Sequence, residues 1–132
     1  MKIQFTAYGN VQPMLRARVF VDKRTGKVRA ANPAKCTDWK NTIRLQALTH
    51  RPQKLMDGPL ALEMVFYLLR PQSKPKREIY PRWKPDFDNL TKAVTDALEG
   101  VFYTNDSRIV MVNIRKEYGD PPRVEIEIKE LI

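Results

Sequence analysis

Pro71, Pro75, Pro81 and Pro85 divide the apolar pattern of this chain into two blocks. Each proline fixes φ and removes a backbone donor, so no helix or ladder runs regularly through residues 70–85. Lys74, Lys76, Arg77, Arg82 and Lys84 are interspersed with them. Such a stretch has little to bury and reads as a basic loop. The fold must be assembled from what flanks it.

On the N-terminal side, Lys2 to Tyr8 alternates polar and apolar residues, the pattern of a half-buried strand. An extended basic segment follows, from Val11 to Arg18. Arg18–Val21 and Lys27–Ala30 flank Asp22–Gly26 as a hairpin, with Gly26 supplying positive φ. Pro33 and Thr37-Asp38 mark a helix start, and Trp39, Ile43, Ala47 and Leu48 recur at helical spacing towards His50 and Pro52. After the Asp57-Gly58-Pro59 turn, Leu60–Leu69 reads as a largely buried strand. Beyond the loop, a helix from about Asp88 or Asn89 to Glu99 carries Leu90, Val94, Ala97, Leu98 and Val101 on one face, with Gly100 closing it. Ile109–Tyr118 and the Val124, Ile126, Ile128 alternation are strands separated by Pro121-Pro122. This order predicts a single α+β domain over residues 1–132, with a mixed β-sheet and two main helices.

The 132 residues are 42% hydrophobic, enough for one core, and carry a formal net charge of +9. That charge is unevenly placed. Residues 1–84 hold 18 Lys/Arg against 5 Asp/Glu, whereas residues 85–132 hold 6 against 10. A basic body implies a polyanionic partner. Cys36 and His50 are the sole residues of their kinds, which excludes a disulfide framework and disfavours thiol-protease or zinc chemistry; Cys36 reads as a small core or surface residue and His50 as a helix end. No signal peptide is visible, and Leu60–Leu69 is too short to cross a bilayer. A soluble, cytoplasmic protein is expected.

The acidic half begins at Lys84-Pro85-Asp86-Phe87-Asp88-Asn89-Leu90-Thr91-Lys92. Pro85 favours an extended approach, in which Asp86 and Asp88 point the same way and Phe87 points to the core. Two close carboxylates repel unless a cation lies between them, and Mg²⁺ takes such oxygen ligands. Helix capping also explains an Asp at this place. Lys92 lies one turn beyond Asp88, as an i,i+4 ion-pair partner or a phosphate contact. Asp106 lies in a polar turn, Thr104-Asn105-Asp106-Ser107, that could return it beside the helix.

The run from Lys84 to Val101, followed by Asn105-Asp106-Ser107-Arg108-Ile109-Val110, closely resembles the RusA family of Holliday junction resolvases. Gly9, Pro13 and Arg16-Ala17-Arg18 fit the same pattern, and Asn105 stands where many relatives carry a second aspartate. The resemblance implies a prophage-type homodimer that binds four-way junction DNA and nicks two opposed strands with Mg²⁺, Mn²⁺ being a possible substitute, in recombination and repair. By position, Asp86, Asp88 and Asp106 would be the essential acidic residues and metal ligands, and Lys92 the essential lysine.

Arg16, Arg18, Lys74, Lys76, Arg77, Arg82 and Lys84 are the expected DNA-binding residues, neutralising phosphates without reading bases. Lys23, Arg24, Lys27 and Arg29 extend that basic surface. Trp83 either packs or stacks on an unpaired base. The dimer surface is open between the Leu60–Leu69 strand and the second helix. Two rival readings share parts of this pattern: a flap or fork nuclease shares the acidic site, and a non-catalytic basic DNA-binding protein shares the charge alone.

Overall fold

Alternating apolar side chains build a four-stranded sheet whose helix-covered face is the core. The computed structural model describes residues 1–14, 18–31 and 34–132. In chain order the elements are β1 (Lys2–Tyr8), β2 (Arg18–Val21), β3 (Val28–Ala31), α1 (Ala34–Ala47), β4 (Leu60–Leu68), α2 (Phe87–Leu98), β5 (Ile109–Tyr118) and β6 (Arg123–Glu130). The sheet order is β1-β6-β4-β5, and β2 and β3 form a separate hairpin. β6 runs antiparallel to β1 and β4, whereas β4 and β5 are parallel. The expected α+β domain with a mixed sheet and two main helices is what the chain forms.

Phe5 and Ala7 of β1, Leu60, Leu62, Met64 and Phe66 of β4, and Val124, Ile126 and Ile128 of β6 point to the core. Leu90, Ala93, Val94, Ala97 and Leu98 of α2 meet them, with Trp39, Ile43 and Ala47 of α1. Only one face of β4 is buried, because both helices lie on the same side of the sheet. β4 is also paired on both sides, so it offers a partner subunit no free edge; β1 and β5 are the edges.

Helix α1 begins at Ala34, a turn before the Thr37-Asp38 signal. Leu48, expected on its inner face, is exposed. The backbone tightens into a 3-10 turn at Leu48–His50, which turns that side chain off the apolar stripe. His50 stacks on Phe5 with ring centroids 5.3 Å apart, and buried Cys36 donates through Sγ to the Pro13 carbonyl at 3.0 Å. Arg44 of α1 reaches the far end of α2, donating to the carbonyls of Ala97 (3.0 Å) and Asp96 (3.1 Å). Those carbonyls have no partner within the helix, so the cation satisfies them and suits the negative end of the dipole. Gly100 then turns the chain at φ 81°, a conformation that disfavours a side chain.

The uncovered face of the sheet carries a polar row: Gln4, Glu127, Glu63 and Asn113 are paired in register across all four strands. Glu63 and Glu127 face each other directly. The hydrogen bond and the charge of Glu127 raise the pKa of Glu63, while Glu127 is lowered by that bond and by Lys2, at 3.3 Å. The two carboxylates thus oppose each other's ionisation, and Glu63 is the one held above its ordinary range. A raised folded-state pKa contributes stability at low pH that is lost as pH rises through it. Glu63→Gln should accordingly raise Tm at around pH 8, with the gain gone at around pH 4, where both forms are neutral. Thermal melts across that range check it.

Candidate active site

Asp86 stands at the N-cap of α2 with extended backbone (φ −74°, ψ 146°), yet its side chain makes no capping bond. Its contact is instead an exposed ion pair with Lys84, at 3.3 Å. Asp88, in the first turn, accepts from the Asn89 amide at 2.9 Å. Capping thus accounts for one carboxylate and not the other. Both line one opening of about 550 Å³, together with Arg82, Trp83, Lys84, Phe87 and Lys116.

Phe87, expected in the core, lies 61% exposed in that opening. The alternation that would bury it stops at Asp86, because Phe87 is already the first helical residue. The expected partnership of Lys92 with Asp88 is also absent. Asp88 is turned to the Asn89 amide, and Lys92 pairs with Asp96 on the next turn, at 3.0 Å. That hydrogen bond and charge raise the pKa of Lys92, with Asp106 and Glu99 adding to the shift against the opposing effect of burial. Lys92 therefore lies within the electrostatic reach of Asp106.

Asp106 occupies a 3-10 turn, Asp106–Arg108. Its amide donates to Glu99 Oε1 at 3.2 Å. Asn105 is the turn's cap, its Oδ1 accepting from the Ser107 amide at 2.9 Å. A strut from outside the motif fixes this turn: Asp57 accepts from Thr104 Oγ1 and from Arg108 Nε, the latter at 3.0 Å. Those bonds, Thr104's first, hold the Asp57 carboxyl below its usual range. Backbone bonds from Met56 to Phe102 and from Thr104 to Met56, at 2.9 and 3.1 Å, stitch the same two segments. Buried Tyr103 donates to the Thr95 carbonyl at 2.6 Å, and burial followed by the charge of Asp106 raises its pKa.

Among the described residues no three His, Cys, Asp or Glu side chains form a metal-binding group. Asp86 and Asp88 share their opening, whereas the Asp106 amide bonds to Glu99 and its charge acts on Lys92 and Tyr103. Two carboxylates are still a donor set of the kind Mg²⁺ takes, since it commonly keeps waters and completes its shell with substrate phosphate oxygens.

Of the expected DNA-binding residues, Arg16 lies outside the described residues, and Arg18 is the first residue of β2. Lys76 and Arg77 are exposed in the loop. Lys74 Nζ and Arg82 Cζ lie 3.7 and 4.2 Å from the Trp83 ring centroid. Trp83 Nε1 donates to Glu78 at 3.1 Å, which with Arg82 keeps Glu78 below the usual carboxylate range. Lys116, which no sequence signal marks out, donates to the carbonyls of Trp83 and Pro85 at 2.8 and 2.9 Å. It thereby pins the basic loop to β5.

A family model for the endodeoxyribonuclease RusA matches residues 9–129. The chain is 37% identical to the uncharacterized protein YqaN of Bacillus subtilis (strain 168), across 98% of this chain and 96% of that one. It is 26% identical to the crossover junction endodeoxyribonuclease rusA of Lactococcus phage r1t, across 99% of this chain and 100% of the phage protein.

The Lys92–Asp96 pair gives a direct check on this electrostatic arrangement. Stability from a raised lysine pKa is complete below the unfolded value and is lost as pH rises through the folded one. Asp96→Asn should therefore move the Lys92 titration downwards, towards the ordinary lysine value, and lower Tm near neutral pH by an amount that shrinks as pH rises through the lysine range. Lysine-resolved NMR titration reads the first effect, and melts compared from neutral to alkaline pH read the second.

Proposed function

The chain belongs to the RusA endodeoxyribonuclease family, and we propose on that premise that it resolves four-way DNA junctions by nicking two opposed strands. The observation that carries the proposal is Asp86, a carboxylate at a helix start that does no capping, sharing an opening with Asp88 and a rim of cations. A structural helix start needs neither the second acid nor the rim. The name of the phage relative supports the junction as substrate.

In this reading Asp86 and Asp88 would hold Mg²⁺, with Mn²⁺ able to replace it, and Asp106 would join them as the third acidic ligand that the family resemblance implies. The ion, when bound, would supply Lewis-acid charge to the phosphoryl oxygens and an activated water. Asp86 and Asp88 line the opening, while the Asp57 strut braces the turn that carries Asp106. Lys92, kept protonated by Asp96, offers positive charge to the oxyanion that develops during hydrolysis. Arg82, Lys84 and the exposed Lys76 and Arg77 neutralise neighbouring phosphates. A four-way junction is two-fold symmetric, so a two-fold homodimer would bring one site to each cut strand. The setting would be recombination and repair of DNA in the cytoplasm, with a prophage as the source of the gene. Among the described residues no helix is long and apolar enough to cross a membrane.

Asp88→Asn should abolish nicking of a synthetic four-way junction while leaving junction binding in place. Lys92→Met should slow nicking about a hundredfold or more. The wild-type protein should cut in Mg²⁺ and stop in EDTA. Strand mapping on junction, flap and linear duplex decides the substrate: paired cuts confined to the junction are expected, and preferential flap cutting would replace this reading with a flap nuclease. Undiminished nicking by Asp88→Asn would remove the assignment of the site.

A further inference from the structure

Phe87 has no packing role that accounts for its ring. It opens α2 at 61% exposure, and among the described residues no other ring or cation faces it. One exposed phenylalanine would mean little by itself. Its surroundings give it meaning, because the same opening is lined by Trp83, by both carboxylates, and by Arg82, Lys84 and Lys116. At about 550 Å³ the opening is of a size that takes small organic groups.

Trp83 is a fixed wall of that opening. Glu78 holds its Nε1 at 3.1 Å, Lys116 holds its carbonyl at 2.8 Å, and Lys74 and Arg82 lie against its ring. Those cations already engage its π surface, which leaves Phe87 as the ring free to receive a new partner. The opening therefore combines a free aromatic face, a rigid aromatic wall and a cationic rim beside two carboxylates. A base stacked on a ring with its phosphate among cations is the general solution for holding a single strand.

We infer that Phe87 is a stacking platform for an unpaired nucleobase adjoining the phosphate that is cut, with Trp83 as the fixed second wall of that subsite. The inference rests on the proposed nuclease function and deepens it by naming what the site distinguishes. A base in continuous duplex is stacked on its neighbours and must be unstacked to reach Phe87, at a cost in free energy. A base at a crossover has already lost part of that stacking. The cations bind either substrate, and the ring favours the one with a base to spare. Every base has a π-face, so this preference is for structure and not for sequence.

Binding measured in EDTA separates this subsite from cleavage. Phe87→Leu and Phe87→Tyr are compared on a four-way junction and on linear duplex of the same arm sequence. Phe87→Leu should bind the junction roughly tenfold more weakly with duplex affinity unchanged, and Phe87→Tyr should restore junction binding. A 2-aminopurine at the crossover should change its emission with wild type and Phe87→Tyr, and fail to do so with Phe87→Leu. An equal loss on both DNAs, or none on either, overturns the inference while the nuclease reading stands. A wild-type protein that does not prefer the junction removes the junction-resolving reading, and this inference with it.

Discussion

The parallel pairing of β4 with β5 governs where the chemistry of this protein can lie. Parallel neighbours cannot be joined by a tight turn, so the chain must cross back over the sheet before β5 begins. That crossover, residues 69–108, contains the basic loop, Asp86, Asp88, Lys92 and Asp106. Its middle is held down by the apolar face of α2, whose buried residues reach from Leu90 to Leu98. The two ends of that helix deliver the two acidic segments. The candidate site lies on a connection that the sheet topology makes obligatory, and the core sets its span.

The fixing of that connection is polar and comes from several directions. Arg44 of α1 satisfies the carbonyls at the end of α2, Lys116 of β5 ties down the carbonyls before Asp86, and Asp57 ahead of β4 braces the turn bearing Asp106. Each brace comes from outside the acidic motif. The segments that carry these carboxylates are thus positioned by neighbours and not by burial of the acids themselves.

The strands and α2 were legible in the sequence because their apolar residues repeat at the periods that sheets and helices impose. Val124, Ile126 and Ile128 and the Leu90 to Leu98 stripe needed no tertiary information. Phe87 departs from its expected place because one residue separates extended from helical backbone at that point, and the two geometries send its ring in different directions. Leu48 failed for the same reason at a helix end. Lys116 and Asp57 gave no sequence signal: one is a charge on the inner side of a strand, the other a turn aspartate, and their tasks arise from segments distant in the chain. The match to the resolvase pattern named Asp106, while its neighbourhood of Glu99, Tyr103 and Lys92 became visible only with the turn folded.

Several cations of the basic loop, α2 and β5 are already engaged within the protein: Lys84 with Asp86, Lys92 with Asp96, Lys116 with two carbonyls, and Lys74 and Arg82 with the indole. Any polyanion must compete with these internal partners or share the cations with them. The small ions liberated when DNA docks should then number fewer than the basic side chains around the site. Affinity would fall off less steeply with ionic strength than the formal charge implies. A lysine that serves as a brace contributes to the shape of the binding surface and is no longer wholly available for attraction.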